Sequence, residues 1–345
     1  MEKTHNITKK HKWLKVFSIV ALTVVALLII ASNILVSAAL VPSFMENLSA
    51  FEEITEESYA ALVHTDDITQ NKLQSEKDTK AWLEEVQTKK LTEKLTAYSS
   101  DGYELVARVY YQEQGSHKWV ILLHGYTGWK EEMNPIACEY AKRGYQILTP
   151  DMRCQGESEG DFIGMGWTDR LDNKIWLDYI LEQDPQAQIV LQGQSMGAAC
   201  ALLMAEEKLP ENVIAVVSDC AFSDAYEMFQ KQMKDWFGLP AFPLLPLANQ
   251  MLQLRGGYDL HNASPIKNMD KIQIPVLFIH GSEDELIPAE MTREMYEAAV
   301  CEKELLIMAG AGHAQSQDKD PELYYETIFS FLKKIIVVPH LSDNS

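Results

Sequence analysis

The chain has 345 residues, of which 47% are hydrophobic and 23% are charged, a composition typical of a globular protein with a sizeable core. Its formal net charge of −20 argues against nucleic acid as a partner, because binding a phosphate backbone needs clustered lysine and arginine. Five cysteines, an odd number without C-x-x-C spacing, indicate neither a zinc site nor a disulfide framework, and we expect no metal and no cofactor.

The first predicted element is a long apolar helix near the N-terminus. Residues 1–15, a basic segment with five lysines, precede it, and residues 16–45 contain no charged side chain. Because a helix needs about 20 apolar residues to cross a bilayer, residues 16–41 are predicted to form a transmembrane helix, an uncleaved signal-anchor. The preceding lysines place the N-terminus in the cytoplasm and the domain after Pro42 outside the cell membrane, which the chain crosses once.

A cleavable signal peptide is the alternative interpretation of this segment. Val36-Ser37-Ala38 resembles a small-residue cleavage site, after which the mature chain would begin at Ala39 or Leu40. The apolar run is much longer than the about 7–15 residues of a usual signal h-region, which favours the anchor.

Residues 42–90 differ from the anchor in being rich in glutamate and lysine, with scattered apolar positions at roughly helical spacing. They predict an acidic helical stalk that holds the following domain at a distance from the lipid surface. Residues 91–335 are predicted to form that domain, and residues 336–345 a C-terminal tail.

The domain begins with two predicted strands around an Asp101-Gly102 turn. Short apolar strands then alternate with helical stretches, which predicts an α/β fold with a mostly parallel central sheet and helices on both faces. The later strands are predicted at 119–124, 145–150, 189–193, 213–218, 275–280 and 304–310. The helices between them are predicted at 131–142, 168–183, 197–208, 289–300 and 321–334.

One segment, residues 221–270, interrupts this alternation between the sixth and seventh strands. It is rich in phenylalanine, methionine, tryptophan, leucine and proline. We expect a helical cap over an apolar acyl pocket. The alternative is that these side chains only pack the cap onto the sheet.

The stretch IVLQGQSMGAAC, residues 189–200, places one serine between two glycines where a strand changes into a helix. Gly193 and Gly197 carry no side chains that would clash on a sharp turn. Such a turn exposes the hydroxyl of Ser195 and directs the backbone N–H of Met196 at the group that the hydroxyl attacks, as in the nucleophile elbow G-x-S-x-G. The pentapeptide alone is also compatible with a glycine-rich turn and a solvated serine.

A serine nucleophile needs an imidazole that takes its proton and a carboxylate that orients the imidazole. Ligands of parallel sheets bind at the carboxyl ends of the strands, where the loops of this chain supply Asp284 and His313. The order Ser195, Asp284, His313 matches the Ser…Asp…His order of one fold class. Asp219, which ends the strand at 213–218, is the alternative acid.

Other histidines compete with His313 for the role of base. They are His117, His124, His261 and His280. His124 and His280 precede glycines at strand ends, where we expect them to bind the backbone. His313 alone follows the last strand behind a glycine-rich turn.

Five motifs occur in order along this domain: HGYTG, a D-x-R…G-x-S loop, GQSMG, HGSEDELIP and GAGH. With them, residues 91–335 resemble the α/β-hydrolase superfamily, and more narrowly bacterial membrane-anchored serine hydrolases and esterases of uncertain substrate. The resemblance implies that Asp284 is the acid and that the backbone N–H groups of Tyr126 and Met196 form the oxyanion hole.

The D-x-R…G-x-S loop, which contains Asp151, Arg153, Gly156 and Ser158, departs from the family's Arg-Gly-His-Gly run at Cys154 and Gln155. Because this loop is normally structural in the family, we expect activity to survive the change. We expect Cys154 to be a packed thiol rather than a reactive one.

The resemblance implies a carboxylesterase-like serine hydrolase that cleaves a small, apolar acyl ester through an acyl-enzyme. A peptidase or a thioesterase uses the same three residues, although an outside location disfavours acyl-CoA thioesters. A non-catalytic cell-surface binding module is the alternative of another class, but no member of the triad is missing from the sequence.

Overall fold

The computed structural model describes residues 2–44 and 67–336. Within these ranges an eight-stranded sheet has the strand order β1-β2-β4-β3-β5-β6-β7-β8. Its strands are β1 (Thr92–Tyr98), β2 (Glu104–Tyr110), β3 (Lys118–Leu123), β4 (Gln146–Pro150), β5 (Gln188–Gln194), β6 (Val213–Asp219), β7 (Val276–Gly281) and β8 (Lys303–Met308). β2 pairs antiparallel with β1 and β4, and every other pair is parallel, which confirms the mostly parallel sheet.

The helices lie before the sheet, between its strands and after the last strand. They are α1 (Glu2–Leu40), α2 (Asp67–Thr88), α3 (Asn134–Ala141), α4 (Asp169–Gln183), α5 (Met196–Ala205), α6 (Ala225–Phe237), α7 (Leu244–Gly256), α8 (Ala289–Ala298), α9 (Ser316–Lys319) and α10 (Pro321–Ile335). The helix predicted at 131–142 is divided: Lys130–Met133 form a 3-10 turn, and α3 follows. Pro135, which has no N–H to donate, occupies the first turn of α3, where helices tolerate proline.

The central strands are apolar on both sides because both faces of the sheet are covered. In β3, Trp119, Ile121 and Leu123 enter one core layer, and Val120 and Leu122 enter the other. The first layer also contains side chains of α4, α5 and the helices α6 and α7, and the second contains side chains of α3 and α10. Burial on both faces explains the continuous apolar runs of the sequence.

α6 and α7 form the insertion between β6 and β7. Hereafter "the cap" means α6, α7 and the segment 238–243 that joins them. Buried cap side chains, including Met228, Ala248 and Leu252, belong to the same core layer as Met196 at the start of α5. The cap therefore covers the side of the sheet on which α5 begins.

α1 contains a segment, Lys15–Leu40, that is long and apolar enough to cross a membrane; a signal sequence meets the same test of length and composition. The side chains described between residues 13 and 27 are exposed, whereas Ser32, Val36 and Leu40 are buried, one turn apart on one helix face. Val36 and Leu40 belong to the core layer under the cap. The end of α1 is thus part of the domain's packing.

α2 belongs to the segment predicted to be a stalk, and it packs on the domain. The Trp82 ring lies 4.8 Å from the Tyr110 ring, Val86 is buried in the second core layer, and the Asn71 side chain donates to the Asp318 carbonyl at 2.9 Å. The described part of the predicted stalk therefore lies against the domain instead of extending from it, because its apolar face is covered there. Residues 45–66 of the stalk, and 337–345 of the predicted tail, lie outside the described residues.

Candidate active site

Ser195 occupies the sharp turn between β5 and α5, with a left-handed φ of 57°. A Cβ on Gly193 would lie 2.2 Å from the Gly197 carbonyl carbon, and a Cβ on Gly197 would lie 2.1 Å from the Leu123 oxygen. Neither position has room for a side chain, so both glycines are sterically required. Met196 is the first residue of α5, and the first N–H groups of a helix have no partner within that helix.

His313 lies between Ser195 and Asp284 and contacts both. Its Nε2 is 2.9 Å from the Ser195 Oγ, and its Nδ1 is 2.7 Å from Asp284 Oδ2. These distances fit a ring that donates from Nδ1 to the carboxylate and accepts the serine proton at Nε2. The loops after β5, β7 and β8 bring the three side chains together from positions far apart in the sequence.

Asp284 is nearly buried and accepts several hydrogen bonds. Its Oδ1 accepts from the backbone N–H groups of Leu286 and Ile287 at 2.9 and 2.8 Å. Burial alone would raise the pKa of Asp284, but hydrogen bonds from His280 and His313 hold that pKa well below its ordinary value. The carboxylate therefore stays ionised and able to stabilise an imidazolium.

His280 is a site residue that the sequence interpretation missed. As predicted it binds backbone, with Nε2 at 2.8 Å from the Ile287 carbonyl, but the same nitrogen also lies 3.1 Å from Asp284 Oδ2. Its Nδ1 lies 2.7 Å from Thr292 Oγ1, which fits a threonine hydroxyl donating to that nitrogen. His280 and His313 thus both bind Asp284 Oδ2, and His280 helps to hold the carboxylate in place; the H-G-x-x-D spacing contains His280 and Asp284 but does not reveal how the ring is oriented.

The other three rival histidines have partners outside the Ser195–His313–Asp284 series. His124 binds the backbone of Gly125 and Met152 at 2.8 and 2.9 Å, and burial lowers its pKa to about 4. His117 pairs with Asp184, and the ring of His261 stacks on Tyr226.

The rival acid, Asp219, makes its hydrogen bonds to residues other than His313 in the part of the chain that the structure describes. Its Oδ2 accepts from the Tyr324 hydroxyl at 3.0 Å and from the Gln194 amide at 3.3 Å, and burial raises its pKa. The structure brings Asp284 to His313, and it gives Asp219 two other partners.

Tyr126 lies in the loop after β3, next to Gly125. A Cβ on Gly125 would lie 3.6 Å from the Ser195 Cβ, so the backbone of this loop passes beside the serine. The Tyr126 hydroxyl donates to the Ala39 carbonyl of α1, and burial raises the Tyr126 pKa to about 12. The residue expected to supply an oxyanion N–H therefore connects the site to α1.

The D-x-R…G-x-S loop is a buried polar network. Asp151 binds the Lys130 ammonium at 2.6 Å, and Arg153 makes two hydrogen bonds of 2.8 Å to Asp172. The Cys154 thiol is half-buried, donates to the Gly160 carbonyl, and has a pKa raised to about 11 by burial. This thiol stays protonated near neutral pH, as a packed cysteine does.

One group of potential metal ligands occurs in the described ranges, and it overlaps the same site. Single donor atoms of Cys220, Asp284 and His313 all lie within 4.8 Å of one another. Asp284 and His313 are hydrogen-bonded to each other, and burial raises the pKa of the Cys220 thiol well above its ordinary value. Since a metal needs a thiolate, this donor set suits proton transfer better than metal binding.

Comparisons with known proteins cover the domain. A family model described as "alpha/beta hydrolase fold" matches residues 118–252, and one described as "Serine aminopeptidase, S33" matches residues 246–320. The uncharacterized protein YqkD of Bacillus subtilis is 35% identical over 216 residues, which are 62% of this chain and 70% of that protein.

Two further relatives have named activities. A thermostable monoacylglycerol lipase from a Bacillus species is 24% identical over 262 residues, covering 66% of this chain and 95% of the lipase. The Pyrococcus furiosus esterase Pf2001 matches with a TM-score of 0.58 at 24% identity, over 71% of this chain and 93% of that one. At this identity the structural likeness shows the fold alone.

Proposed function

The chain belongs to the α/β-hydrolase superfamily, and we propose that it is a membrane-anchored serine hydrolase that cleaves a carboxylic ester with an apolar acyl group. The observation that carries this proposal is the hydrogen-bonded series Ser195–His313–Asp284. The cap adds support, because its buried apolar side chains cover the side of the sheet where Ser195 lies.

In the first half of the proposed reaction, Ser195 Oγ attacks the acyl carbonyl carbon while His313 Nε2 takes the hydroxyl proton. Asp284 holds the Nδ1–H of the ring and stabilises the imidazolium. The backbone N–H groups of Met196 and Tyr126 are proposed to donate to the oxyanion. The bond to the alcohol then breaks, and His313 gives its proton to the leaving alkoxide.

In the second half, water attacks the acyl-enzyme. His313 takes a proton from the water and returns it to Ser195 Oγ as the carboxylic acid leaves. Thioesters and peptides react through the same steps, so a panel of aryl ester, thioester and aminoacyl amide substrates distinguishes the three activities.

The structure also supports a retained anchor. Arg255 of the cap donates to Asn33 and to Ser37 of α1 at 2.7 and 3.0 Å, and the Ile163 N–H donates to the Leu40 carbonyl at 2.9 Å. Cleavage after Ala38 would remove the Arg255 partners and the buried Val36. The cavity left where Val36 was buried would destabilise the domain.

The test of the proposed function is labelling of the full-length protein in detergent with a fluorophosphonate probe. We expect the label on Ser195, and we expect Ser195→Ala to abolish both labelling and aryl ester hydrolysis. Ser218→Ala is the matched control. Ser218 lies on β6, where it pairs with Gly193 of β5, and its buried hydroxyl has no hydrogen-bond partner among the described residues. Labelling that survives in Ser195→Ala contradicts the proposal.

A further inference from the structure

The end of α6 and the segment that joins it to α7 present large apolar side chains to solvent. Trp236, Phe237, Leu239 and Phe242 are exposed, Phe242 to 78% and Phe237 to 67% of their surface. We call these four residues the apolar cap surface. Single exposed apolar residues are common, but contiguous groups mark a site of interaction.

The apolar cap surface lies next to the membrane-spanning part of α1. The Ser32 hydroxyl donates to the Leu244 carbonyl at 3.3 Å, and Leu244 comes two residues after Phe242. Leu28, one turn before Ser32 on the same helix face, is partly covered as well. The cap thus begins its contact with α1 several residues before the apolar segment ends at Leu40.

The rise of a helix places this contact at the depth of the lipid tails. With Lys15 at the cytoplasmic boundary, the 17 residues from Lys15 to Ser32 advance about 26 Å at about 1.5 Å per residue. The hydrocarbon core is about 30 Å thick, so Ser32 lies within it, near its outer boundary. Leu244, whose carbonyl binds Ser32, then lies at a similar depth, and Phe242 is two residues away in the chain.

The composition of the cap agrees with this position. Residues 236–254 contain no charged side chain, in a chain with a formal net charge of −20. Arg255 follows, and its long side chain reaches Asn33 and Ser37, where a cation lies at the level of lipid headgroups. Tryptophan and phenylalanine next to such a boundary are typical of interfacial anchors.

A small apolar cavity of about 40 Å³ lies between α1 and the cap. Val36 and Ala39 of α1, Phe229 and Met233 of α6 and Leu252 of α7 line it. Ala39 also accepts the hydrogen bond from Tyr126, beside Ser195. The cavity therefore lies close to the loop that passes beside Ser195.

Together these contacts lead to one inference, which rests on the proposed anchor and ester hydrolysis. We propose that the apolar cap surface is embedded in the outer leaflet of the membrane that α1 spans, and that the substrate is an ester dissolved in that leaflet, whose acyl chain enters between α1 and the cap. The active site then receives its substrate from the lipid phase instead of from water.

The first test uses the full-length chain in phosphatidylcholine nanodiscs that contain a lipid with a diazirine on its acyl chain. After irradiation, we expect adducts on residues 236–243 as well as on α1. Val300 is the internal control, because it is 65% exposed but precedes the amino end of β8, whereas the site lies at the carboxyl ends of the strands. Adducts on α1 without adducts on 236–243, or cross-links between two copies through this segment, overturn the inference.

The second test separates the inference from the proposed function. We expect the double variant Trp236→Ser and Phe242→Ser to hydrolyse a bilayer-dissolved long-chain acylglycerol about tenfold more slowly or worse, since interfacial binding scales with buried apolar area. Hydrolysis of a water-soluble butyrate ester should be unchanged, which also shows that the variant folds, and Val300→Ser should leave both rates unchanged.

Equal loss on both substrates overturns the inference and leaves ester hydrolysis standing. A wild-type chain that hydrolyses neither ester contradicts the proposed function, and lipid adducts then still test the position of the cap. Failure of the intact chain to insert into nanodiscs overturns the anchor and the inference together.

Discussion

At the scale of single residues, Asp284 and Asp219 are two buried carboxylates with different partners. Asp284→Asn should lower the rate of ester hydrolysis by about 10⁴, because an amide favours the wrong imidazole tautomer of His313. Asp219→Asn should retain activity, since an amide oxygen still accepts from Tyr324 and Gln194. Steady-state kinetics of both variants checks this, and the reverse pattern would show that Asp219 is the acid.

A third buried carboxylate, Asp169, is expected to make stability depend on pH. Burial raises its pKa to about 7, and its Oδ1 has no hydrogen-bond partner among the described residues. The folded protein therefore keeps a proton that the unfolded chain releases above about pH 4. The resulting loss of stability grows as the pH rises from about 4 to about 7 and is complete above that range.

Asp169→Asn should remove this loss while its amide oxygen still accepts from the Gly166 N–H. We expect the free energy of unfolding to rise by about 1–3 kcal/mol at pH 8, since each pKa unit corresponds to about 1.4 kcal/mol, and to change little at pH 4. Asp178→Asn, exposed on the same helix, is the control. Thermal unfolding of the wild type and the variant at pH 4 and pH 8 measures this change in stability. An equal gain in stability at both pH values would contradict the raised pKa of Asp169.

The sequence predicts the residues whose role is set by the local backbone, such as the glycines of the turn at Ser195. The crowded turn at Ser195 predicts that positions 193 and 197 must be glycine. The structure agrees, because a Cβ at either position would lie within about 2.2 Å of a backbone atom. The contact of His280 with Asp284 was not predictable, because a histidine before glycine at a strand end has no spacing that reveals which way its ring turns.

At the scale of elements, the end of α1 behaves as part of the catalytic domain. Leu40 is buried in the core layer under the cap, whereas Ile34 on the same helix is 53% exposed. Leu40→Ala should lower stability by about 2–5 kcal/mol because it leaves a cavity, and Ile34→Ala should change it little. Heat inactivation of the membrane-bound enzyme measures both, and equal half-lives would show that α1 does not stabilise the domain.

The strands and helices of the domain were predictable because burial on both sheet faces produces continuous apolar runs. The position of α1 and α2 was not. Lipid and a protein core select the same apolar side chains, so the sequence of α1 does not reveal that Val36 and Leu40 pack on the cap. The glutamates and lysines of α2 suggested a stalk, although Trp82 and Val86 attach it to the domain.

At the scale of the whole molecule, the proposed topology places the domain outside the cell and the basic N-terminus inside. Protease added to intact cells should remove the domain and leave the lysine-rich N-terminal segment protected, because lysines next to a membrane helix remain in the cytoplasm. N-terminal sequencing of the membrane-bound form checks that α1 is retained. A released form that begins at Ala39 or Leu40 would show cleavage, and a protected domain would show the reverse orientation.

The hydrogen bond from Tyr126 to Ala39 and those from Arg255 to Asn33 and Ser37 also determine the reach of the enzyme. A domain joined to its membrane helix by a long flexible linker could reach molecules at many distances from the membrane surface. With α1 as the proposed anchor, the hydrogen bond from Tyr126 joins it directly to the active-site loop, and the active site is then expected to move by lateral diffusion at a constant height. We expect the rate of hydrolysis per enzyme molecule to increase with the surface density of ester in the same membrane. Ester in a second population of vesicles, which lack the enzyme, should not be hydrolysed.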